Sequence, residues 1–221
     1  MLIKTPAWKL CIIAIALALP TFAQEWKPLF NGKDLSGWEH VGPGSFVVGQ
    51  GMLKTEGGMG LLWYTREKFG NVVLRVVYKT SHLEDNSGVF IRIPEPPADP
   101  WYAVHHGYEV QILEKPPAGM PEDPYHTTGA IYSLAKALAR AAKPPGEWNT
   151  MEIGIEGPTT TVVLNGVKVN EYREGDAVPP RLRQYEPERR PRPDSGYIGL
   201  QNHHSDAEVY FREVDVRPLT K

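Results

Sequence analysis

Cysteine is the scarcest residue in this 221-residue chain: Cys11 is the only one, and it sits in an apolar leader. The remainder can therefore build neither a disulfide framework nor a cysteine nucleophile, and its stability has to come from buried apolar surface. Long apolar runs are missing as well. The longest, 10–19, is half of the ~20 residues that a membrane-spanning helix needs. An excess of either charge is also absent, with 24 Lys and Arg against 26 Asp and Glu. A nucleic-acid partner would need a basic face, and this balance argues against one. Helical periodicity is scarce, whereas glycine and proline are plentiful at 21 each.

The leader itself is informative. Lys4 and Lys9 precede the apolar run, and Thr21-Phe22-Ala23 places a small residue at its end, so residues 1–23 read as a secretory signal peptide cleaved before Gln24. A lipoprotein would need a cysteine just after the run, but Cys11 lies inside it. The expectation is a secreted or periplasmic protein, without membrane insertion, whose residues 24–221 form a single domain.

Beyond the leader, short β-branched and aromatic segments alternate with Gly, Pro, Asn and Asp. Segments 71–80, 87–93, 108–113, 148–156, 159–164, 167–172, 195–201 and 208–217 read as strands, and 129–132 as a shorter one. Asn165-Gly166 supplies the two positive φ values of a type I′ hairpin turn. The pattern predicts an all-β fold, a jelly-roll sandwich of two antiparallel sheets. Residues 133–142 (SLAKALARAA), rich in Ala and Leu and followed by Pro144-Pro145, read as the only helix. Two long polar loops, 94–107 and 173–194, interrupt the strands. The second mixes six arginines with five acids and reads as a solvated rim loop rather than an anion clamp.

Strand 108–113 carries the strongest chemical signal. Alternation turns Tyr108, Val110 and Ile112 one way and Glu109 and Gln111 the other, so a carboxylate and an amide stand together in mid-strand. The neighbouring 86–92 segment repeats the pattern, placing Asn86, Phe90 and Arg92 on one outer face. There Gly88 leaves room for close approach and Arg92 either meets a sugar or pairs with Glu109. Among the histidines, His106, His126 and His203 flank strand ends, and Gln201 closes the strand that His203 follows. None has zinc-type spacing, yet carboxylate, amide and imidazole at one rim could hold a divalent metal.

Seven ordered motifs cover essentially the whole chain after the leader: 30–38 (FNGKDLSGW), 86–92 (NSGVFIR), 108–113 (YEVQIL), 128–132 (TGAIY), 146–149 (GEWN), 164–166 (LNG) and 196–201 (GYIGLQ). Together they resemble the 3-keto-disaccharide hydrolase family, also called 3-keto-glucoside 1,2-lyase/hydratase domains. The resemblance implies a concanavalin/laminarinase-like jelly roll whose partner is a 3-keto-glucoside or related oxidised sugar. A ketone at C3 acidifies the C2 proton, so one base can drive β-elimination at C1 before water adds back. Glu109 or a rim histidine such as His106 is the candidate base, with Gln111, Arg92 and Gln201 as candidate donors and Asn86, Phe90, His126 and His203 as substrate contacts. Two alternatives stay open. A lectin-like binding module would use aromatics such as Trp101, Tyr102 and Phe90, and a retaining β-glucanase would pair Glu109 with Glu114.

Overall fold

The computed structural model describes residues 25–204 and 206–219; the leader expected at 1–23 lies outside them. In chain order the elements are β1 (Lys27–Pro28), β2 (Trp38–Val41), β3 (Ser45–Gly49), β4 (Met52–Glu56), β5 (Gly60–Tyr64), β6 (Val72–Thr80), β7 (Ser87–Ile93), α1 (Pro100–His106), β8 (Tyr108–Ile112), β9 (Asn149–Glu156), β10 (Thr159–Leu164), β11 (Val167–Arg173), β12 (Tyr197–Asn202) and β13 (Val209–Pro218).

Antiparallel pairing gathers these strands into two sheets. The larger runs β11-β10-β9-β6-β13-β4-β3, with β1 also paired to β13, and the smaller runs β2-β5-β12-β7-β8. Apolar side chains from the facing surfaces, among them Leu62, Val89, Ile91, Val110, Ile112 and Leu200 from the small sheet and Leu74, Val76, Ile153 and Phe211 from the large one, fill the space between. This is the predicted sandwich.

Register shifts interrupt three strand pairs, and two of them redirect charged side chains. In β13 the register slips between Phe211 and Glu213, so the inward residues change from Val209 and Phe211 to Val214 and Val216. Asp215 then turns outward and accepts from Arg75 at 2.5 Å. In β7, Arg92 adopts a left-handed φ of 55° beside the register shift in β12. Its guanidinium consequently leaves the outer face and donates to Pro193 O at 2.9 Å and Gly157 O at 2.6 Å.

The helix is not where composition placed it. Residues 133–142 form turns and irregular chain. Ser133 has a φ of 59°, Leu138 N donates to Val169 O, and Asn170 Nδ2 donates to the carbonyls of Gly129, Ala135 and Lys136. Tertiary hydrogen bonds thus override an Ala-rich propensity worth only tenths of a kcal/mol per residue. Segment 129–132 contributes isolated bridges through Ile131 rather than a strand. The helix is α1, inside the expected 94–107 loop. Asp99 caps it by accepting from Tyr102 N at 3.0 Å, and Pro100 opens it.

The 173–194 loop is largely exposed, as expected of a rim loop, but part of it is anchored. Arg192 is buried and donates to Gly107 O, His105 O and Glu188 O, while Arg189 donates to Pro179 O, Pro187 O, Ser133 and the buried Glu186 carboxylate. Two of the arginines therefore staple the loop to the sandwich.

Candidate active site

The outer face of the small sheet is divided along its length. Leu61, Trp63, Phe90 and Ile93 pack under Ala103 and Val104 of α1 as a second apolar cluster. Beyond the helix the same face becomes polar. Gly88 pairs with Gln111 and Phe90 with Glu109 on one side of β7, while Leu200 pairs with Val89 on the other. Gln201, Gly88 and Gln111 therefore fall in one row, with Glu109 a step away.

Glu109 leans across this row. A Cβ at position 88 would lie 2.3 Å from Glu109 Oε1 and 2.6 Å from its Cγ, so the space expected above Gly88 is filled by the carboxyl group. Only 7 % of Glu109 is exposed, and this burial pushes its pKa up to about 8, while the Gln201 amide beside it opposes the rise. Glu109 is thus on the expected face but is not the exposed charge that alternation suggested. Gln111 Nε2 donates to Asn86 Oδ1 at 2.8 Å. The Oε1 atoms of Gln111 and Gln201 are buried without a hydrogen-bond partner in the protein. Buried acceptors left unpaired are costly and are kept where a ligand meets them.

A second group faces the same space. His126 Nδ1 lies 3.4 Å from Asp123 Oδ2, and its backbone N donates to Asp123 O at 2.9 Å. Asp123 is held by Tyr125 N, which donates to its Oδ1 at 2.9 Å. The His126 ring lies 4.9 Å from the Tyr132 ring, and its Nε2 is buried without a protein partner. A carboxylate behind Nδ1 favours the proton there and leaves Nε2 as the acceptor.

Asn86, Glu109, Gln111, His126, Gln201 and His203 line one cavity of ≈ 690 Å³, a volume ordinary for a small-molecule site. His203 sits at its rim, where the wall and the neighbouring His204 ring hold its pKa below the usual imidazole value.

Three expected residues lie elsewhere. Phe90 is sealed in the dry cluster beneath α1. Arg92 neither reaches the cavity nor pairs with Glu109, because the bulge turns it away. His106 points toward Arg190 and Glu188 of the long loop. On α1 it is Trp101 and Val104, one turn apart, that face the cavity. Glu114, the partner that a glucanase would pair with Glu109, lies past the end of β8 and joins the wall. Residues that strand patterning alone does not reveal are Asp123, Tyr132 and Glu186. The spacing of Asp123 and His126, an aspartate capping its own turn, was the available signal for the first. Among the described residues no three His, Asp or Glu side chains converge as a metal site.

Comparison with known proteins agrees with this geometry. Residues 25–217 match the family described as a 3-keto-alpha-glucoside-1,2-lyase-like domain. The chain is 26 % identical to a 3-keto-disaccharide hydrolase of Bacteroides thetaiotaomicron, over 92 % of this chain and 82 % of that protein. A crystal structure from Parabacteroides distasonis, assigned as a glycosyl hydrolase, superposes with a TM-score of 0.71 at 30 % identity, over 88 % of this chain and 100 % of the other. A galectin-like protein of unknown function from Bacillus subtilis gives 0.62 at 14 % identity, over 87 % and 94 %, and shares the fold alone. A two-sheet sandwich carrying a polar cavity, matched across nearly its whole described length, belongs to the 3-keto-alpha-glucoside-1,2-lyase-like family of carbohydrate-active hydrolase domains.

Proposed function

We propose that the protein cleaves 3-keto-glucosides by elimination and hydration, with Glu109 and His126 as its two proton-handling groups. The observation that supports this best is that a buried carboxyl group and a histidine with an unpaired Nε2 line one cavity. Burial holds Glu109 as a neutral acid up to about pH 8, and His126, with Asp123 beside its Nδ1, turns an Nε2 without a protein partner to the same cavity.

In this reading, His126 Nε2 takes the proton from C2, which the adjacent C3 ketone acidifies. The C1–O bond breaks, its electron pair leaves with the aglycone oxygen, and Glu109 gives that oxygen its proton. Hydration runs the same groups backward: the Glu109 carboxylate takes a proton from water as the hydroxyl adds to C1, and His126 returns one to C2. Net hydrolysis restores both residues. The unpaired Gln111 and Gln201 oxygens accept from sugar hydroxyls, and the Asn86 amide is a donor available to the developing enolate.

The test is a matched pair of substrates. A 3-keto-glucoside should be cleaved with a transient enone absorbance and solvent deuterium at C2 of the product, while the parent glucoside should persist. Cleavage of unoxidised β-glucan would favour a Glu109–Glu114 glucanase, and binding without turnover a lectin-like module. We also propose export through the 1–23 leader. Intact mass should show a chain beginning at Gln24, and retention of residues 1–23 would refute it.

A further inference from the structure

The cavity has two chemistries. Its floor is polar, but its exposed lining carries Trp101, Met120, Leu182 and Tyr185, all between 46 % and 77 % exposed, interspersed with Glu122, Arg140 and Arg183. Half of the large apolar side chains that the described residues expose are thus gathered around one opening. Exposed apolar side chains gathered at one opening beside a polar site mark a place of contact rather than chance exposure.

This lining is also held in place. Glu186, buried beneath it, accepts from Leu182 N at 3.1 Å and from Arg189 Nη2 at 3.0 Å, and Arg189 is itself tied to Pro179, Pro187 and Ser133. These bonds fix the loop that carries Leu182 and Tyr185. On the opposite bank Trp101 stacks on His105, with ring centroids 6.2 Å apart, and Nδ1 of that histidine lies 3.2 Å from Glu186 O. Both banks are therefore braced through the same residue. A loop that only had to be soluble would not be stapled so as to hold a leucine and a tyrosine toward water.

From this we propose that the mouth is a subsite for the apolar part of an alkyl or aryl aglycone, so that the protein prefers 3-keto-glucosides of hydrophobic alcohols over 3-keto-disaccharides. The inference rests on the 3-keto-glucoside reading above. A glucosyl group leaving C1 would present hydroxyls to these side chains, whereas an apolar aglycone removes its surface from water. The four side chains are chemically mixed, aromatic, thioether and aliphatic, which suits apolar groups of varied shape.

Three substrates separate the possibilities, 3-keto forms of ethyl glucoside, 2-phenylethyl glucoside and a glucosyl-glucose disaccharide, of which the disaccharide has the intrinsically better leaving group. The phenylethyl compound should show a kcat/KM at least about tenfold above the other two, the scale expected for burying one aromatic ring. Leu182→Ser and Trp101→Ala should each pull that ratio toward one, while Val167→Ser, an exposed apolar residue on the hairpin away from the cavity, should leave it unchanged. Equal kcat/KM for phenylethyl and ethyl compounds, or preference for the disaccharide, overturns the inference while leaving the reaction intact. If no 3-keto substrate turns over, the proposed reaction itself has failed. In that event binding of unoxidised 2-phenylethyl glucoside against glucose, followed by Trp101 fluorescence in wild type and Leu182→Ser, still tests the subsite. Equal affinity for the two ligands refutes it.

Discussion

Two halves of one sheet face invite comparison. Under α1, Leu61, Trp63, Phe90 and Ile93 are covered by a helix and form a dry cluster. Beside them on the same sheet, Gln201, Gly88, Gln111 and Glu109 lie under loops and keep unmet acceptors and an unwilling carboxyl group. The backbone is the same ladder in both halves. What differs is the cover, and this teaches that the sheet supplies rigidity to the site while the connections decide where polarity is retained.

The sharpest break of that contrast is Glu109→Gln. Removing a proton-transfer group should lower kcat by about 10²–10⁴-fold. The same change should stabilise the fold in alkali. Because the folded-state pKa of about 8 exceeds the unfolded carboxyl value, the native state holds an extra proton between about pH 4.5 and 8, and wild-type stability falls as pH rises through that window. The full difference is on the order of 4–5 kcal/mol. Melting temperatures of the two proteins should converge near pH 4.5 and separate by pH 9. The kcat/KM of wild type should decline as pH rises through about 8, and a rise instead would make Glu109 the base.

The dry half should respond in the opposite way. Ile93→Ala should cost about 2–5 kcal/mol in denaturant unfolding while changing kcat/KM less than about twofold. A large catalytic loss at full folding would mean that the two halves are coupled.

Gly88→Ala sharpens the boundary between them. Its Cβ would meet the Glu109 carboxyl, so the side chain has to swing away, and kcat should fall by about tenfold or more with little change in the unfolding midpoint. The smallest effect is expected for Gln111→Met. Losing one acceptor for a sugar hydroxyl should raise KM about three- to tenfold, without loss of kcat.

Much of this was legible beforehand. Alternation in 108–113 placed Glu109 and Gln111 together on the outer face, and the strand list foretold most of both sheets, because period-two patterning depends only on which side chains are buried. Arg92 was misplaced because alternation assumes an unbroken pleat, and a single left-handed residue reverses every direction after it. Phe90 points outward as alternation required, but a helix that composition did not suggest covers it. That helix is capped by Asp99 and opened by Pro100, signals carried by two residues in a proline-rich stretch. Its counterpart, the Ala-rich 133–142, lost its helix to hydrogen bonds from Asn170, 34 and 35 residues away in sequence on strand β11. Asp123 and Glu186 act through loops, whose contacts no periodicity encodes.

The position of β13 sets the order in which the chain can assemble. The last strand of the described chain lies between β6 and β4 in the large sheet and also receives β1. Val216 pairs with Leu74 on one side and Lys27 on the other, so residues separated by most of the sequence must meet before the sheet closes. Such contacts are slow to form. During synthesis β6 and β4 have no strand between them until β13 emerges, and their apolar residues Leu74, Val76 and Leu53 stay unsheltered on that side. Folding of the large sheet is therefore a late, concerted event, and loss of the last ten strand residues would split the sheet at its centre rather than trim its edge.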